Sequence, residues 1–335
     1  MRRLAVRFEG LPAAWRQLRR RHLVINLALG GFYTPIARRR EAQWLAQNTS
    51  IDHTPIESVP VAASRWPAMA IVALFIALRI ATDVGFGPPL AVVVAAGALM
   101  LPYLWGFSTA RRVNAVRWRG VQLVFAASWA AIYRASWPLF AIAVPWAWLA
   151  PRVAASSAGG ELHFSHALLL ELAMLGLLAY PLLLRLGYNY ARLLAAGALA
   201  NGEPALWPAR FSTYAGVWVA TTLAFALSVF PVLLALRYAL LGSVGMPQGL
   251  TGWPVIAVSL AGAVLAFLLS APARAWHEAR MFRLRWDGLQ WAGATFECTL
   301  DAGRYVRLRG LKHGAAAALE AYRMKAESVT LVAAR

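Results

Sequence analysis

Four ionisable side chains fall inside long apolar stretches of the sequence: Arg79, Arg134, Glu171 and Arg237. A charge in hydrocarbon is costly, so such residues face a partner, a cavity or the interface, and each is a candidate for function. Arg79 and Arg237 lie near the ends of their stretches, where a long side chain reaches the headgroups. Arg134 and Glu171 read as deeper, on two stretches joined by one outer connection. At matched depth they would form an ion pair, or serve as a proton or ion relay. Glu161, His163 and His166 crowd a short segment, and histidines at i, i+3 can share a helix face as metal ligands. No third or fourth ligand stands near them, so the segment reads as interfacial polarity and not as a metal site. The His-Glu-x-x-His, Walker and Gly-x-Ser-x-Gly patterns do not occur. No catalytic residue and no cofactor are assigned, and the one cysteine, Cys298, rules out an internal disulfide framework.

These side chains sit in a chain of 335 residues that is 60% hydrophobic and 14% charged. A soluble domain is nearer half apolar and a quarter charged. About 20 apolar residues cross the ~30 Å hydrocarbon core as a helix. Six stretches meet that need: Pro67 to Asp83, Pro88 to Ser108, Val121 to Ala150, His166 to Leu186, Tyr214 to Leu241 and Trp253 to Ala273. The third carries Pro138 and Pro145 and is expected to kink. Basic residues test the count independently, because short Lys- and Arg-rich loops stay cytoplasmic. Of 33 Lys and Arg, 29 fall in residues 1–66, 109–120, 185–213 and the tail from 274. With six spans all four segments face one side. The fold class expected is an all-α polytopic membrane protein of three repeated helical hairpins, with basic interfacial arms and a small α+β tail. Its divisions are a basic segment over 1–66, a transmembrane domain over 67–275 and a tail over 276–335. Both termini are placed in the cytoplasm.

Leu23 to Ile36 is too short for a span and carries no convincing signal-peptide cleavage site, so it reads as interfacial or re-entrant. In the tail, Thr295 to Leu300 alternates and predicts a β-hairpin turning at Asp301-Ala302-Gly303, with Arg304 to Leu308 as its second strand. A helix over Leu311 to Ala326 and a strand over Ser328 to Val332 follow.

The formal net charge of +19 would suggest nucleic acid for a soluble protein, but its distribution is that of a topology signal. The basic arms are placed on the anionic inner leaflet, where each Lys or Arg contributes roughly 1 kcal/mol. The residues expected to face lipid are Arg38, Arg39, Arg40, Arg111, Arg112, Arg117, Arg119, Arg280, Arg283 and Arg285.

The arms recur. Pro102, Pro181 and Pro272 each mark a helix end followed by an arginine-bearing stretch, and the first arm, Pro35 to His53, has no complete hairpin before it. That first arm contains Asn26, Gly30, Tyr33, Pro35 and Arg38, then Trp44 and the pair Asn48-Thr49. The pattern resembles the YjgN family of uncharacterised bacterial inner-membrane proteins, with Ile36 and His53 where that family usually has Trp and Gly. The resemblance implies an inner-membrane location and a repeated architecture. Through neighbouring genes it hints at a membrane peptidase as partner, and it carries no substrate or catalytic residue. The sequence therefore favours a non-enzymatic scaffold or regulatory subunit that engages anionic phospholipid and a partner membrane protein. Transport of a small solute or ion is the alternative.

Overall fold

A computed structural model describes residues 2–31, 33–59, 66–83, 88–156, 165–241, 253–312 and 314–333. The three outer connections fall largely or wholly outside these residues, as do Glu161 and His163. In chain order the first elements are β1 (Arg2–Phe8), α1 (Pro12–Ala28), α2 (Thr34–Gln47), β2 (Thr49–Ile51), β3 (Thr54–Pro55) and β4 (Glu57–Ser58). Next come α3 (Trp66–Asp83), α4 (Pro88–Asn114), β5 (Val116–Trp118), β6 (Val121–Gln122) and β7 (Val124–Phe125). They are followed by α5 (Trp129–Ala135), α6 (Trp137–Ala155), α7 (His166–Gly197), β8 (Ala198–Ala200) and β9 (Glu203–Pro204). The last are α8 (Phe211–Leu241), α9 (Trp253–Leu269), α10 (Ala271–Trp286), β10 (Gln290–Trp291), β11 (Ala294–Cys298), α11 (Ala302–Arg309), α12 (Ala315–Glu327) and β12 (Val329–Ala333).

Among the described residues three helices are long and apolar enough to cross a membrane: α4, α7 and α8. A fourth crossing is available if α9 and α10, bent by 41° at a short break, count as one. At 32 residues α7 is about 48 Å long, well beyond the hydrocarbon thickness. In α9 no residue is buried, and Ile256, Leu260, Val264 and Phe267 are exposed along it. A helix apolar on every side needs lipid around it.

The third expected stretch is corrected. Val121 to Phe125 is strand, and the helical part begins at Trp129 and breaks at Ser136. Val121, Leu123 and Val124 are apolar enough to mimic the start of a span, but they alternate between pairing partners in two small sheets. The all-α class is also corrected, since short sheets accompany the helices.

Those sheets share one device. Four tight hairpins join β2 to β3, β5 to β6, β8 to β9 and β10 to β11. Both turn residues of each have positive φ: Asp52 (50°) and His53 (61°), Arg119 (48°) and Gly120 (78°), Asn201 (52°) and Gly202 (83°), Ala292 (49°) and Gly293 (71°). Two successive left-handed residues are the signature of a type I′ turn, whose twist matches that of the flanking strands. Each hairpin follows a helix and takes a third strand. Asn114 and Asp287 occupy matching places, each five residues before its turn, and each accepts a backbone N–H six residues after it, from Phe125 (2.8 Å) and Cys298 (3.3 Å). The arms thus carry a repeat of helix end plus β-hairpin that their arginines only marked.

The chain divides into two compact units, 1–56 with 208–335, and 57–207. In the first, β1 pairs antiparallel with β12, uniting the first and fourth hairpins in one six-stranded sheet of order β10-β11-β12-β1-β2-β3. Phe8, Trp15 and Leu319 form a buried cluster under it, with Trp44 and Tyr322 packed against them. The turn expected at Asp301 lies instead at Ala292-Gly293. The Asp301 carboxylate accepts from the Gly303 N–H (2.8 Å) and starts α11, so Arg304 to Leu308 is helix. In the second unit α4, α6 and α7 pack side by side, with the seven-residue α5, about two turns long, against α4 and α7.

Candidate functional site

Arg134 and Glu171 do not meet. Glu171 pairs with Arg152, whose guanidinium also lies over the Trp148 ring at 4.5 Å. Arg134 sits two residues before Ser136, whose hydroxyl is 2.7 Å from Tyr190 Oη near the basic end of α7. Tyr190 and Glu171 are 19 residues apart on α7, so the two levels differ by about 28 Å. The expected depth match fails because Val121–Gln122 and Val124–Phe125 are strands and the helix begins only at Trp129. Arg237 is exposed on α8, and Arg79 lies on α3. Among the described residues no group of His, Cys, Asp and Glu could hold a metal ion.

The family-like residues of the first arm build a helical hairpin. Asn26 lies in the last turn of α1, Gly30 and Gly31 turn the chain at φ 55° and 90°, and Pro35 stands in the first turn of α2. The Thr34 hydroxyl reaches Gly31 O (2.7 Å) and Asn26 Oδ1 (3.2 Å). Beneath the turn, buried His22 faces Glu41 at 3.3 Å and the Tyr33 ring at 5.7 Å. Asn48 and Thr49 close the far end: Asn48 Nδ2 donates to Trp44 O, and Thr49 Oγ1 donates to Leu45 O while meeting Tyr322 Oη. Burial and the Thr49 hydrogen bond act in opposite senses on Tyr322, and burial wins, raising its hydroxyl above the usual range. This motif is architectural: it holds the arm to the sheet. Leu23, Val24, Leu27, Leu29 and Ile36 at its tip remain exposed, flanked by Arg38, Arg39 and Arg40.

The other arms lay arginines on aromatic rings. Arg111 is 5.7 Å from Phe107, Arg119 4.7 Å from Trp118 and Arg280 5.5 Å from Trp276. Arg112 donates to Thr109, Arg283 pairs with Asp287 at 3.6 Å, and Arg285 is exposed. Arg117 is half-buried, and its Nε is without an acceptor.

The arrangement with the most chemistry lies where α9 gives way to α10. Ser270 is buried at the break, and Pro272 follows with no N–H to continue the ladder. Arg274 turns back so that its Nη2 donates to Phe267 O (2.6 Å), and its guanidinium carbon lies 3.8 Å from the Phe267 ring centre. One cavity of about 260 Å³ lies against it, walled by Phe267, Leu268, Ala275, Glu278 and Arg309. A second of similar volume, about 260 Å³, is walled by Trp218, Thr221, Thr222, Phe225, His277 and Arg274 itself. The Thr221 hydroxyl donates to Val217 O (2.7 Å), so its oxygen accepts from His277 Nδ1–H at 3.0 Å. The Trp218 and His277 rings meet edge to face at 4.3 Å. Behind the first cavity Lys325 Nζ donates to Glu278 (2.6 Å) and lies 5.7 Å from the Tyr305 ring. Burial first, then the charge and hydrogen bond of Glu278, push the Tyr305 hydroxyl far above its ordinary range. A Cβ on Gly310 would stand 2.9 Å from Pro272 Cα, so the end of α11 presses directly on the break.

In the sequence Arg274 stands only as the first residue of a basic arm, and no motif singles out Trp218, His277, Glu278, Tyr305 or Lys325 as parts of a site. The signal available was Ser270-Ala271-Pro272 followed by the first charge after a long apolar run.

No curated protein and no solved structure matches this chain. The model of one family, described as bacterial protein of unknown function (DUF898), matches residues 3–319, nearly the whole length, and the chain belongs to that family.

Proposed function

We propose that this DUF898 protein is a non-enzymatic scaffold or regulatory subunit of the bacterial inner membrane, crossing it six times with both termini in the cytoplasm. Within its family the motif from Asn26 to Thr49 favours a YjgN-like member. Its basic arms rest on anionic phospholipid and present their β-hairpins to a partner membrane protein. The observation that carries this reading is the recurrence of a tight hairpin at four helix ends, with arginines laid on aromatic rings at two of them, those of α4 and α10. Such pairs suit the headgroup level, where an apolar ring and a wet cation sit together. The transport alternative loses the central ion pair that motivated it, because Glu171 is paired with Arg152 near the outer end of α7.

Topology is testable because Cys298 is the only cysteine. In a C298S background, R39C, R119C and R283C should react with an impermeant thiol reagent only from the cytoplasmic face, and more slowly as the phosphatidylglycerol content rises. Reaction of any of the three from the outer face overturns the six-span arrangement. Cross-linking in native membranes followed by mild-detergent purification should recover one recurrent membrane protein, and repeated recovery of the chain alone removes the scaffold role.

A further inference from the structure

Arg274 is a cation without an anion. Its Nη2 is committed to the Phe267 carbonyl, its Nε is buried with no acceptor, and it has no carboxylate within ion-pair distance among the described residues. The nearest acid on its own helix, Glu278, is committed to Lys325 and Tyr305. In the cavity between α8 and α10 a second buried donor, Trp218 Nε1, is also without an acceptor. Two buried N–H groups without an acceptor, on two side chains that line one cavity, are costly unless something supplies negative oxygen, and the half-exposed guanidinium beside them favours an anion.

The walls say what kind of molecule carries that oxygen. Apart from Arg274, Trp218, His277 and the two threonines, the cavity ends on Phe225, which is exposed, as are Phe267, Leu268 and Leu269 beside the break. Arg274 follows the apolar α9 by five residues, which places it where hydrocarbon meets headgroup. A ligand there has an anionic head and an apolar body.

We propose that the α8–α10 cavity binds one anionic phospholipid, its phosphodiester oxygens accepting from Arg274 Nε and Trp218 Nε1 and its acyl chains lying along Phe225 and the exposed face of α9. This deepens the lipid-engaging reading above and rests on it, but it concerns a single built site and not the broad contact of the arms. His277, held by Thr221, closes the inner wall; of the charged groups that act on it, Arg285 is a cation and Glu278 is already engaged by Lys325.

The test uses the full-length protein in mild detergent, with bound lipid counted by native mass spectrometry during titration with phosphatidylglycerol, phosphatidylcholine or inorganic phosphate. One phosphatidylglycerol should be retained about tenfold more tightly than phosphatidylcholine. Arg274→Gln should abolish that preference. Trp218→Phe, which keeps the ring and removes the N–H, should weaken it about threefold, and Arg280→Gln on the exposed arm should leave it unchanged. Equal retention of the two lipids, or wild-type retention by both Arg274→Gln and Trp218→Phe, overturns the site. Millimolar inorganic phosphate that displaces the lipid and binds alone assigns the cavity to a free phosphate instead. If Arg274→Gln does not fold, Arg274→Lys with Trp218→Phe decides, since unchanged affinity in both refutes the geometry. A combined Arg38, Arg39 and Arg40 to Gln variant separates the two readings: it should reduce arm protection by anionic vesicles while keeping the tight lipid. Loss of the tight lipid with that variant transfers the binding to the arms.

Discussion

Two helices of this protein break in the same way and are finished differently. Ser136-Trp137-Pro138 separates α5 from α6, and Ser270-Ala271-Pro272 separates α9 from α10. Both serines are buried, at 0% and 1% exposure, and both hydroxyls donate to a carbonyl of the preceding turn, Ile132 O at 2.7 Å and Phe267 O at 3.0 Å. Around Ser136 the space is filled. Tyr190 bonds the same hydroxyl and stacks on Trp105 at 4.1 Å, and Asn189 donates to the Ala135 carbonyl (3.0 Å). Gly106 lets the elements close, since a Cβ there would stand 2.7 Å from Ile132 Cδ1. Around Ser270 there are cavities, a lone guanidinium and unmatched donors. A break that served only to redirect the chain would be packed like the first. The second retains features that destabilise an empty site, which is the usual mark of a place kept for binding.

The sharpest way to break this contrast is to truncate both. Tyr190→Ala should cost about 3–5 kcal/mol, because it opens a void in a filled elbow and strands Ser136. Arg274→Ala should cost only about 1 kcal/mol, the worth of one hydrogen bond. Thermal unfolding of both variants in one detergent tests the pair, and equal losses would mean that the second elbow is structural too. The region behind the open elbow is sensitive to alkali. Tyr305 holds its proton more tightly when folded, chiefly because it is buried and beside Glu278. Its contribution is therefore complete below about pH 10 and is lost as the pH rises further. Tyr305→Phe should flatten the fall in unfolding temperature between about pH 9 and 11, and an unchanged slope would remove Tyr305 as the cause.

Two smaller effects probe the rest of the comparison. A double-mutant cycle should give Glu171 and Arg152 a coupling below about 1 kcal/mol, since both are a third or more exposed. Glu171 and Arg134 should give none, and measurable coupling between them would restore the intramembrane pair. The least effect is expected at the fourth hairpin. Ala292 adopts φ 49°, which a side chain disfavours. Ala292→Gly should therefore raise stability by roughly 0.5 kcal/mol, seen as a small upward shift in unfolding temperature. A loss there would show that the side chain packs usefully.

Local chemistry was legible in the residues. Long apolar runs became α4, α7 and α8, and Val329–Ala333 became the expected strand. Asn201-Gly202 and Arg119-Gly120 carried a turn signal beside each arm, and Asn48-Thr49 marked a helix end. The errors had a shared cause. Apolar strand residues at Val121, Leu123 and Val124 look like the start of a span, and Asp301 suits a turn as well as a helix cap. Periodicity over a few residues does not separate these alternatives.

By itself the sequence determined the long apolar helices, because they follow from the chemistry of neighbouring residues, but not where a proline ends one: Pro102 and Pro181, expected at helix ends, lie inside α4 and α7, and of the three only Pro272 stands at a break. The tertiary structure alone decided that β1 pairs with β12 across more than 300 residues, that Glu171 takes Arg152 and that Arg274 has no carboxylate partner among the described residues. Those outcomes depend on which distant groups packing brings within a few ångströms, and no local preference specifies that.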